Sequence, residues 1–365
     1  MTLTLDDLRT FAVARSLFPP ATLDRAIRRI GFVQADPIRA PARAQDLILR
    51  HRVKNYRVGD LERRYPTLDV EEDFFVNYGF LPREVWAAMH PRRIGSGWPG
   101  GRLTNVPALL EFVRSRGSVH PREVDEHFSH GTVKNYWGGS SNATTQLLHA
   151  MHYRGLLRVV GRERGIRIYS AHDHARAPSG GASLASRIDM LVNVVVRAYA
   201  PLPRASLSTL VRQLRFAVPQ WRRSLGAALD RALGRLMHAR VDGIDWHWPA
   251  DESPADYEMP TAVRFLAPFD PVVADRRRFE LFWGWTYRFE AYTPAKKRMR
   301  GYYALPLLWQ DRVIGWANAS VGSGGLQTQF GYIGSPPRSR AYARELEAEL
   351  ARVRAFLRID EVDSR

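Results

Sequence analysis

Apolar positions recur every three to four residues in several stretches near the start of the chain, which predicts short amphipathic helices. Thr4 is a candidate N-cap for the first helix, and Gly31 follows the second helix where a C-terminal glycine is common. Arg50 and Arg52 are expected on the outer face of the third helix. The predicted elements are, in order, a helix over 4–15, a helix over 22–30, an extended segment over 33–36 and a helix over 42–52.

A second stretch has a clearer order of elements. Helices are predicted over 106–116, 120–127 and 144–154, and two strands about a short basic turn follow over 155–169. Three helices and a hairpin are the outline of a winged-helix unit, in which the hairpin forms the wing. A third unit of similar size has helices over 184–199, 206–214 and 220–237, and ends in the alternating segment 241–246.

The pattern changes to strands in the last hundred residues. Strands are predicted over 265–271, 287–292, 301–309 and 313–319, and an amphipathic helix is predicted over 340–357. We therefore predict an α+β protein with tandem winged-helix modules, a small antiparallel β domain and a C-terminal helix. The expected domains are 1–100, 101–176, 182–256 and 257–365, with Gly/Pro-rich linkers over 95–101 and 177–181.

Charge points to a polyanionic partner. The 365 residues carry a formal net charge of +17 and a pI near 10.6, and nucleic acid is the partner that best fits a positive surface. Only four of the cations are lysines, and either codon usage or selection for phosphate binding can produce such an excess of arginine. There is no cysteine, which excludes disulfides and thiolate chemistry. With no signal-peptide pattern and no apolar run of membrane-spanning length, we expect a cytoplasmic protein, and we expect a monomer.

The extended segment 33–36 carries the candidate chemistry. Residues two apart in extended backbone point the same way, so Gln34 and Asp36 are expected to present an amide and a carboxylate together. Pro37 keeps Asp36 out of helical geometry, and Arg39 and Arg43 follow within reach of an anionic ligand. The competing interpretation is an ordinary Asp-Pro turn with Gln34 at the surface.

Other polar clusters give weaker signals. Asp69, Glu71, Glu72 and Asp73 are expected to form a solvated surface, since runs of charge usually do. Arg276–Arg278 and Lys296–Arg300 are expected in loops of the β domain. The histidine clusters do not match zinc-binding spacing, so no metal and no cofactor is expected; they are His120/His127/His130, His149/His152 and His172/His174.

Sequence motifs at both ends of the chain carry a family resemblance. The motifs are Phe32–Pro37, Ala42–Leu47, Leu266–Pro271, Asp275–Arg278, Tyr287–Glu290, Pro294–Arg298 and Gly301–Pro306. Together they resemble the YcaQ/AlkZ family of winged-helix DNA glycosylases, over almost the whole chain. The resemblance implies that Gln34 and Asp36 are the catalytic Gln-x-Asp pair. It also implies removal of N7-alkylated guanine from double-stranded DNA and unhooking of interstrand crosslinks.

Two stretches depart from the family pattern. Family members usually have Glu-x-Trp-x-His before the Phe-Leu-Pro of residues 80–82, where this chain has Asp73, Phe75 and Asn77. They also tend to have Gly-Arg-x-Asp in the last strand of the β domain, where this chain has Trp316 and Asn318 in place of the arginine and aspartate. The lost charges bear on substrate preference.

The residues suit glycosidic hydrolysis. N7-alkylated guanine is already cationic and leaves readily, so the remaining task is to stabilise an oxocarbenium-like sugar and direct water to C1′. Asp36 is expected to do this and Gln34 to position the water, while the basic side chains Arg39, Arg43, Lys296, Lys297, Arg298 and Arg300 are expected to contact DNA. The alternatives are a non-catalytic winged-helix regulator, which would bind one sequence preferentially, and a metal-dependent nuclease.

Overall fold

The computed structural model describes residues 3–93, 106–129, 131–134, 139–172 and 183–359. Within those ranges the chain forms thirteen helices and fourteen strands in four successive segments. The predicted linkers 95–101 and 177–181 lie outside the described residues. None of the helices in the described ranges is both long and apolar enough to cross a bilayer.

The first segment, residues 3–93, contains a three-stranded antiparallel sheet of order β1-β3-β2 surrounded by helices. A capping box between Thr4 and Asp7 starts the first helix, and Gly31, at φ +80°, ends the second. The elements are α1 (Leu5–Ser16), α2 (Leu23–Ile30), β1 (Val33–Gln34), α3 (Ala44–Leu49), α4 (Asp60–Arg64), β2 (Val70–Phe74), β3 (Tyr78–Pro82) and α5 (Arg83–Met89).

The third predicted helix is shorter than expected, and Arg52 is not on its outer face. Arg52 follows α3 and is completely buried, where its guanidinium binds Asp270 of the fourth segment. Arg50 is also mostly buried, against Glu349 near the C-terminus. Both arginines were predicted to face solvent, and the prediction is wrong because each has a distant carboxylate partner that offsets burial of its charge.

The second segment, residues 106–172, has the predicted order of three helices and a hairpin. A short two-stranded pairing, absent from the prediction, lies between the second and third of its helices. The elements are α6 (Val106–Arg116), α7 (Pro121–Phe128), β4 (Thr132–Lys134), β5 (Ser140–Asn142), α8 (Ala143–Tyr153), β6 (Leu157–Glu163) and β7 (Ile166–Ala171).

The third segment, residues 183–248, pairs its strands in the order β8-β10-β9. The helix predicted over 220–237 is shorter, since residues 219–224 form a 3₁₀ turn and Met237 already belongs to a strand. The elements are α9 (Leu184–Tyr199), β8 (Leu202–Pro203), α10 (Arg204–Gln213), α11 (Leu225–Leu233), β9 (Met237–Val241) and β10 (Ile244–Trp248).

The fourth segment, residues 249–359, forms a four-stranded antiparallel sheet with a helix at its C-terminal end, as predicted in outline. Its strands run in chain order, β11-β12-β13-β14, and the last of them was not predicted. The elements are β11 (Val263–Phe265), α12 (Arg276–Trp283), β12 (Leu305–Trp309), β13 (Arg312–Gly322), β14 (Gly325–Tyr332) and α13 (Arg340–Leu357).

Two predictions for the fourth segment are wrong. Arg276–Arg278 open α12, capped by Asp275, and Arg278 is buried with its guanidinium on backbone carbonyls. Residues 287–292 do not form a strand, although Tyr287, Glu290 and Ala291 are buried. Tyr287 is held instead through its hydroxyl, which donates to the carbonyl of Ala304 at 2.6 Å.

The apolar core joins the segments rather than filling each one separately. One cluster contains buried residues of the first, second and fourth segments, including Val33, Leu148 and Phe265. Another joins α1 and α5 to the third segment through residues such as Phe11 and Leu191. The first segment is therefore packed against all the others.

The acidic stretch on β2 is also an interface, which corrects the prediction of a solvated surface. Glu71, Glu72 and Asp73 are 2%, 1% and 0% exposed. Glu71 pairs with Arg158 at 2.8 Å, and Glu72 pairs with Arg162 and Arg167, all from the hairpin of the second segment. Asp69, at 47% side-chain exposure, does lie near the surface.

Candidate active site

Asp36 lies where the chain leaves the first sheet. Val33 pairs with Phe80 and Gln34 with Gly79, and the Ala35 N–H donates to the Tyr78 carbonyl at 3.0 Å. A Cβ on Gly79 would lie 2.3 Å from the Val33 carbonyl oxygen, so glycine is needed for this close pairing. The backbone that leads to Asp36 is therefore held by hydrogen bonds as far as Ala35.

Two hydrogen bonds set the position of Asp36. Its backbone N–H donates to Gln45 Oε1 at 3.3 Å, and its Oδ1 accepts from the Ile38 N–H at 2.9 Å. The second contact is the turn-forming bond that the competing interpretation anticipated. It occupies one carboxylate oxygen. Among the described residues, no protein donor is bound to Oδ2.

Asp36 differs from most of the other buried carboxylates because it has no cationic side chain as an ion-pair partner in the described part of the chain. The residue is 9% exposed, and no arginine, lysine or histidine in the described part of the chain forms an ion pair with it. Burial raises the pKa of the Asp36 carboxyl, and the Ile38 N–H opposes this only in part. By contrast, buried carboxylates such as Glu72, Asp73 and Asp270 each pair with arginine.

The Asp36 side chain lines a cleft of about 690 Å³ between the first and second segments. One wall comes from Ala35–Pro37, Arg43, Gln45 and Tyr78. The other comes from the second segment, and its polar lining consists of His120, Arg122, Asp125, Asn142, Thr145, His149, Arg162 and Arg167. Asp36 therefore lies across the cleft from the helices and hairpin of the second segment.

Gln34, the predicted catalytic partner of Asp36, is not in the lining of the cleft. Gln34 is half-buried on β1, and it is not among the residues that line the cleft. Gln45 is, and it holds the Asp36 backbone. Sequence reasoning did not single out Gln45 as a site residue, although it belongs to the Ala42–Leu47 motif.

Two carboxylates hold the arginines at the base of the cleft. Arg43 pairs with Glu62 at 2.9 Å, so its guanidinium is engaged, whereas Arg39 is exposed. Glu72 accepts from Arg162, Arg167 and the Tyr78 hydroxyl. The pKa of Glu72 is lowered because these arginines outweigh the opposing effect of burial. The second-segment arginines were missed by sequence reasoning, since only the fold brings them to Asp36.

Tyr303 approaches Asp36 from the fourth segment. Its side chain is 3% exposed, and its hydroxyl has no hydrogen-bond partner among the described residues. Burial raises the pKa of Tyr303, and the negative charge of Asp36 raises it further, so the two groups are close enough to interact electrostatically. Tyr303 also lines a second cleft, of about 540 Å³, together with Ala40.

The predicted DNA-binding cations of the fourth segment divide into two groups. Lys296 and Lys297 are exposed, and no ion pair to either is found in the described part of the chain. Arg298 donates to the Thr293 carbonyl at 2.8 Å and lies over the Tyr302 ring. Arg300 donates to the Thr286 carbonyl at 2.7 Å. The two lysines are thus free for an external anion, whereas the two arginines help to shape the loop.

At the first departure from the family pattern, Asp73 and Phe75 have structural roles. Asp73 accepts from His90 and from Arg92, each at 2.7 Å, and the side chains of all three are almost fully buried. Burial would raise the pKa of Asp73, but Arg92 and His90 outweigh it and hold the pKa below its ordinary value. Phe75 is buried against Phe32. Asn77 is at the surface.

The second departure supports the lysine-bearing loop. Asn318 donates from Nδ2 to the Arg300 carbonyl at 2.7 Å, and the Trp316 ring lies 5.5 Å from the Arg300 guanidinium. Gly331 makes room for Trp316, because a Cβ there would lie 2.2 Å from the indole. The two residues that replace the family arginine and aspartate therefore position the backbone and side chain of Arg300.

The histidines have individual roles. In the described ranges no group of three or more His, Cys, Asp or Glu side chains is arranged to hold a metal ion. His120 caps α7, His127 stacks on Phe112, His149 accepts from Arg167 at 3.3 Å, and His172 stacks on Trp86. His152 is buried. His130 and His174, which completed two of the predicted clusters, lie outside the described residues.

Comparison with known proteins gives the class of protein. The sequence model of the family described as DNA glycosylase AlkZ-like matches residues 27–356. The chain belongs to this AlkZ-like DNA glycosylase family, which confirms the resemblance found in its motifs. Family membership supports a DNA-repair glycosylase activity and DNA as the substrate.

A solved structure gives the same fold. The DNA glycosylase AlkZ of Streptomyces sahachiroi superposes with a TM-score of 0.61 at 14% sequence identity. The match covers 98% of this chain and 97% of that chain. It supports the α+β architecture with small antiparallel sheets.

Proposed function

We propose that this chain is a glycosylase that hydrolyses the N-glycosidic bond of N7-alkylated guanine in double-stranded DNA. Asp36 is the essential group. The observation that carries the proposal is its unpaired, buried carboxylate on the wall of a cleft. In a protein with 54 lysines and arginines, a buried carboxylate that has no cation of its own is available to another positive group.

The chemistry follows from that charge. Alkylation at N7 makes guanine cationic, so the base leaves without protonation by the enzyme, and positive charge develops on the sugar. An ionised Asp36 stabilises this oxocarbenium-like sugar electrostatically and accepts a proton from the water that attacks C1′. Its Oδ2 is available for that water, because Oδ1 already accepts from Ile38. Neither step uses a metal or a cofactor.

Gln34 is proposed as the group that positions the attacking water. This role rests on the place of Gln34 in the Gln-x-Asp motif, because the cleft lining includes Asp36 but not Gln34. Gln34→Ala is therefore expected to lower the excision rate less than Asp36→Asn does.

The exposed cations provide sequence-independent affinity for DNA. Lys296, Lys297 and Arg39 are exposed and are proposed to contact backbone phosphates. Arg43 lines the cleft with Asp36 and is proposed to contact DNA near the lesion, whereas Arg298 and Arg300, bonded within the protein, are proposed to contact DNA beside the two lysines. N7 adducts project into the major groove, so full extrusion of the base is not needed and crosslinked guanine is a substrate. The protein is proposed to act as a monomer.

The test is excision from a duplex that carries a single N7-methylguanine, with chelator present and abasic sites revealed by alkali. Wild type is expected to cleave and Asp36→Asn to be inactive. Asp125→Asn is the matched control, because Asp125 lines the same cleft but both its oxygens already accept, from Asn142 and Thr144. Full activity of Asp36→Asn would reject the assignment of Asp36.

A second substrate extends the test. A nitrogen-mustard crosslink between guanines is expected to be unhooked by wild type and not by Asp36→Asn. If wild type binds duplex DNA but cleaves neither substrate, the non-catalytic regulator is the better interpretation. In that case binding to one sequence would greatly exceed binding to random DNA.

A further inference from the structure

Residues 290–302, which we call the Glu290 loop, are held in one shape by hydrogen bonds. Glu290 Oε2 accepts from three successive backbone N–H groups, those of Met299, Arg300 and Gly301, at 3.0, 2.8 and 3.3 Å. Arg298 Nε closes the loop on the Thr293 carbonyl at 2.8 Å. A carboxylate that accepts from three consecutive backbone N–H groups fixes the backbone of residues 299–301. The directions of the side chains on this part of the loop are thereby fixed as well.

This fixed loop holds apolar side chains in water. Tyr292 is 80% exposed and Met299 is 81% exposed, the two highest values among the large apolar side chains in the described ranges. Exposed apolar surface costs roughly 25 cal/mol per Å² relative to burial. A rigid loop that keeps two such groups exposed is typical of a surface that binds a partner.

Lys296 and Lys297 lie between these two residues in the chain and are also exposed. The loop therefore combines apolar tips with free cations, which suits a partner that has both anionic and stacked aromatic surface. Duplex DNA has this combination, since its phosphates border base pairs that a Met or Tyr side chain can wedge apart.

The loop is next to the segment that carries Asp36. Phe289, at the base of the loop, packs on Tyr303 with ring centroids 5.1 Å apart and on Tyr292 at 5.9 Å. Ala40, four residues after Asp36, lines one cleft together with Gly301, Tyr302 and Tyr303. DNA bound at Asp36 is therefore expected to reach the Glu290 loop.

We propose that Tyr292 and Met299 form an apolar wedge that enters the base stack of duplex DNA beside the lesion, while Lys296 and Lys297 bind the adjoining phosphates. The inference rests on the proposed function for its choice of DNA as partner. It goes further by assigning an unstacking step to two residues that carry no charge. Such a step bends the duplex and brings the lesion toward the cleft without taking the base out.

The test uses a duplex with a stable abasic-site analogue and 2-aminopurine as the neighbouring base, whose fluorescence rises on unstacking. Wild type is expected to raise the fluorescence at saturation. Tyr292→Ser/Met299→Ser is expected to lose most of that rise and to bind about tenfold more weakly. The slope of log affinity against log salt is expected to stay unchanged, since no charge is removed.

Two control variants separate the wedge from general electrostatics. Lys296→Ala/Lys297→Ala is expected to keep the fluorescence rise at saturation but to reduce the salt slope by about two. Met259→Ser, at a residue that is 52% exposed and outside the Glu290 loop, is expected to match wild type.

The proposal is overturned if the Tyr292→Ser/Met299→Ser variant binds and unstacks like wild type, or if its salt slope falls as in the lysine variant. Neither measurement requires base excision. A wild type that unstacks DNA but fails to excise N7-methylguanine would reject the proposed function and keep the wedge. The opposite result would reject the wedge alone.

Discussion

Arg52 and Asp270 form a two-point ion pair in which both side chains are completely buried. Arg52 Nη1 donates to Asp270 Oδ2 at 2.7 Å, and Arg52 Nη2 donates to Oδ1 at 2.8 Å. The residues are 218 positions apart and join the first segment to the fourth. This pair fixes the β domain, with its Glu290 loop, against the segment that carries Asp36.

Removal of one partner is expected to destabilise the protein strongly. Arg52→Met leaves Asp270 buried without a cation, which is expected to lower the free energy of unfolding by about 3–5 kcal/mol. The variant Arg52→Met/Asp270→Leu is expected to recover much of this loss, because it contains no uncompensated charge. Urea denaturation of Arg52→Met, Asp270→Leu and the double variant measures the coupling energy between the two side chains. If the losses of the two single variants simply add up in the double variant, the expected coupling is absent.

A surface pair provides the control for that cycle. Arg240 pairs with Asp245 across β9 and β10, and the two side chains are 69% and 42% exposed. Arg240→Ala is expected to change the free energy of unfolding by less than about 1 kcal/mol, since solvent screens the interaction.

Asp36→Asn is expected to abolish excision and to stabilise the protein at neutral pH. Burial raises the pKa of Asp36, so the ionised side chain opposes folding, and the amide of Asn removes that cost while its oxygen still accepts from Ile38. The wild type gains stability as the pH falls from the raised pKa to the ordinary value near 3.9. The advantage of the variant should therefore disappear below that pH.

Thermal denaturation of both proteins at pH 7 and below pH 4 measures this difference. Equal melting temperatures at pH 7 would show that Asp36 carries no desolvation cost. Lower stability of Asp36→Asn at pH 7 would show that the carboxylate is structural.

His90 is expected to make stability fall on acidification. Burial is the main cause that lowers the pKa of His90 to about 4, and the charge of Arg92 acts in the same direction, while the bond to Asp73 opposes both. The unfolded chain binds a proton at an ordinary pKa near 6.5, so the unfolded state gains protons first as the pH falls. Stability is therefore lost between about pH 6.5 and pH 4.

The comparison is between wild type and His90→Gln by denaturant unfolding at several pH values from 7.5 to 4.5. His90→Gln is expected to be less stable at pH 7.5 but to lose less stability on acidification. His51 and His152 are also buried with lowered pKa values, so some pH dependence should remain in the variant. If the free energy of unfolding varies with pH identically in the two proteins, His90 is not the source of the pH dependence.

Asn318→Asp, which restores the family residue, is expected to destabilise this chain. The Asn318 amide donates to the Arg300 carbonyl at 2.7 Å, and a carboxylate cannot donate there and would face the carbonyl oxygen. The loss of this bond is expected to cost about 1–3 kcal/mol. Ser320→Asp introduces the same charge two residues along β13, at an exposed position, and is the control. A variant Asn318→Asp as stable as wild type would contradict the role assigned to Asn318.

Local signals in the sequence predicted much of the fold. The capping side chain of Thr4 and the left-handed Gly31 placed α1 and α2 within about one residue, because caps act on backbone groups a few positions away. The hairpin β6–β7 was also predicted, from two strand-like runs about a short basic turn. These predictions rest on interactions between residues a few positions apart, which the local sequence contains.

Distant partners explain the wrong predictions. Glu72 was expected in solvent because its neighbours are charged, but Arg162 and Arg167, 90 and 95 residues further on, allow its burial. Tyr287 and Phe289 alternate as in a strand, yet their segment has no strand partner and is held by side chains. The placement of Asp36 next to a cleft likewise depends on the second segment, so sequence alone could nominate the carboxylate but not its surroundings.

The buried pairs between β2 and the second segment also determine how the cleft at Asp36 can change. Separating its walls would carry Glu71 and Glu72 away from the arginines of β6 and β7 and leave buried charges without partners. We therefore expect the distance between the walls to be nearly constant when DNA binds. Adducts on guanine would then be selected by their dimensions, and large substituents would be processed only where they can extend along the cleft toward solvent.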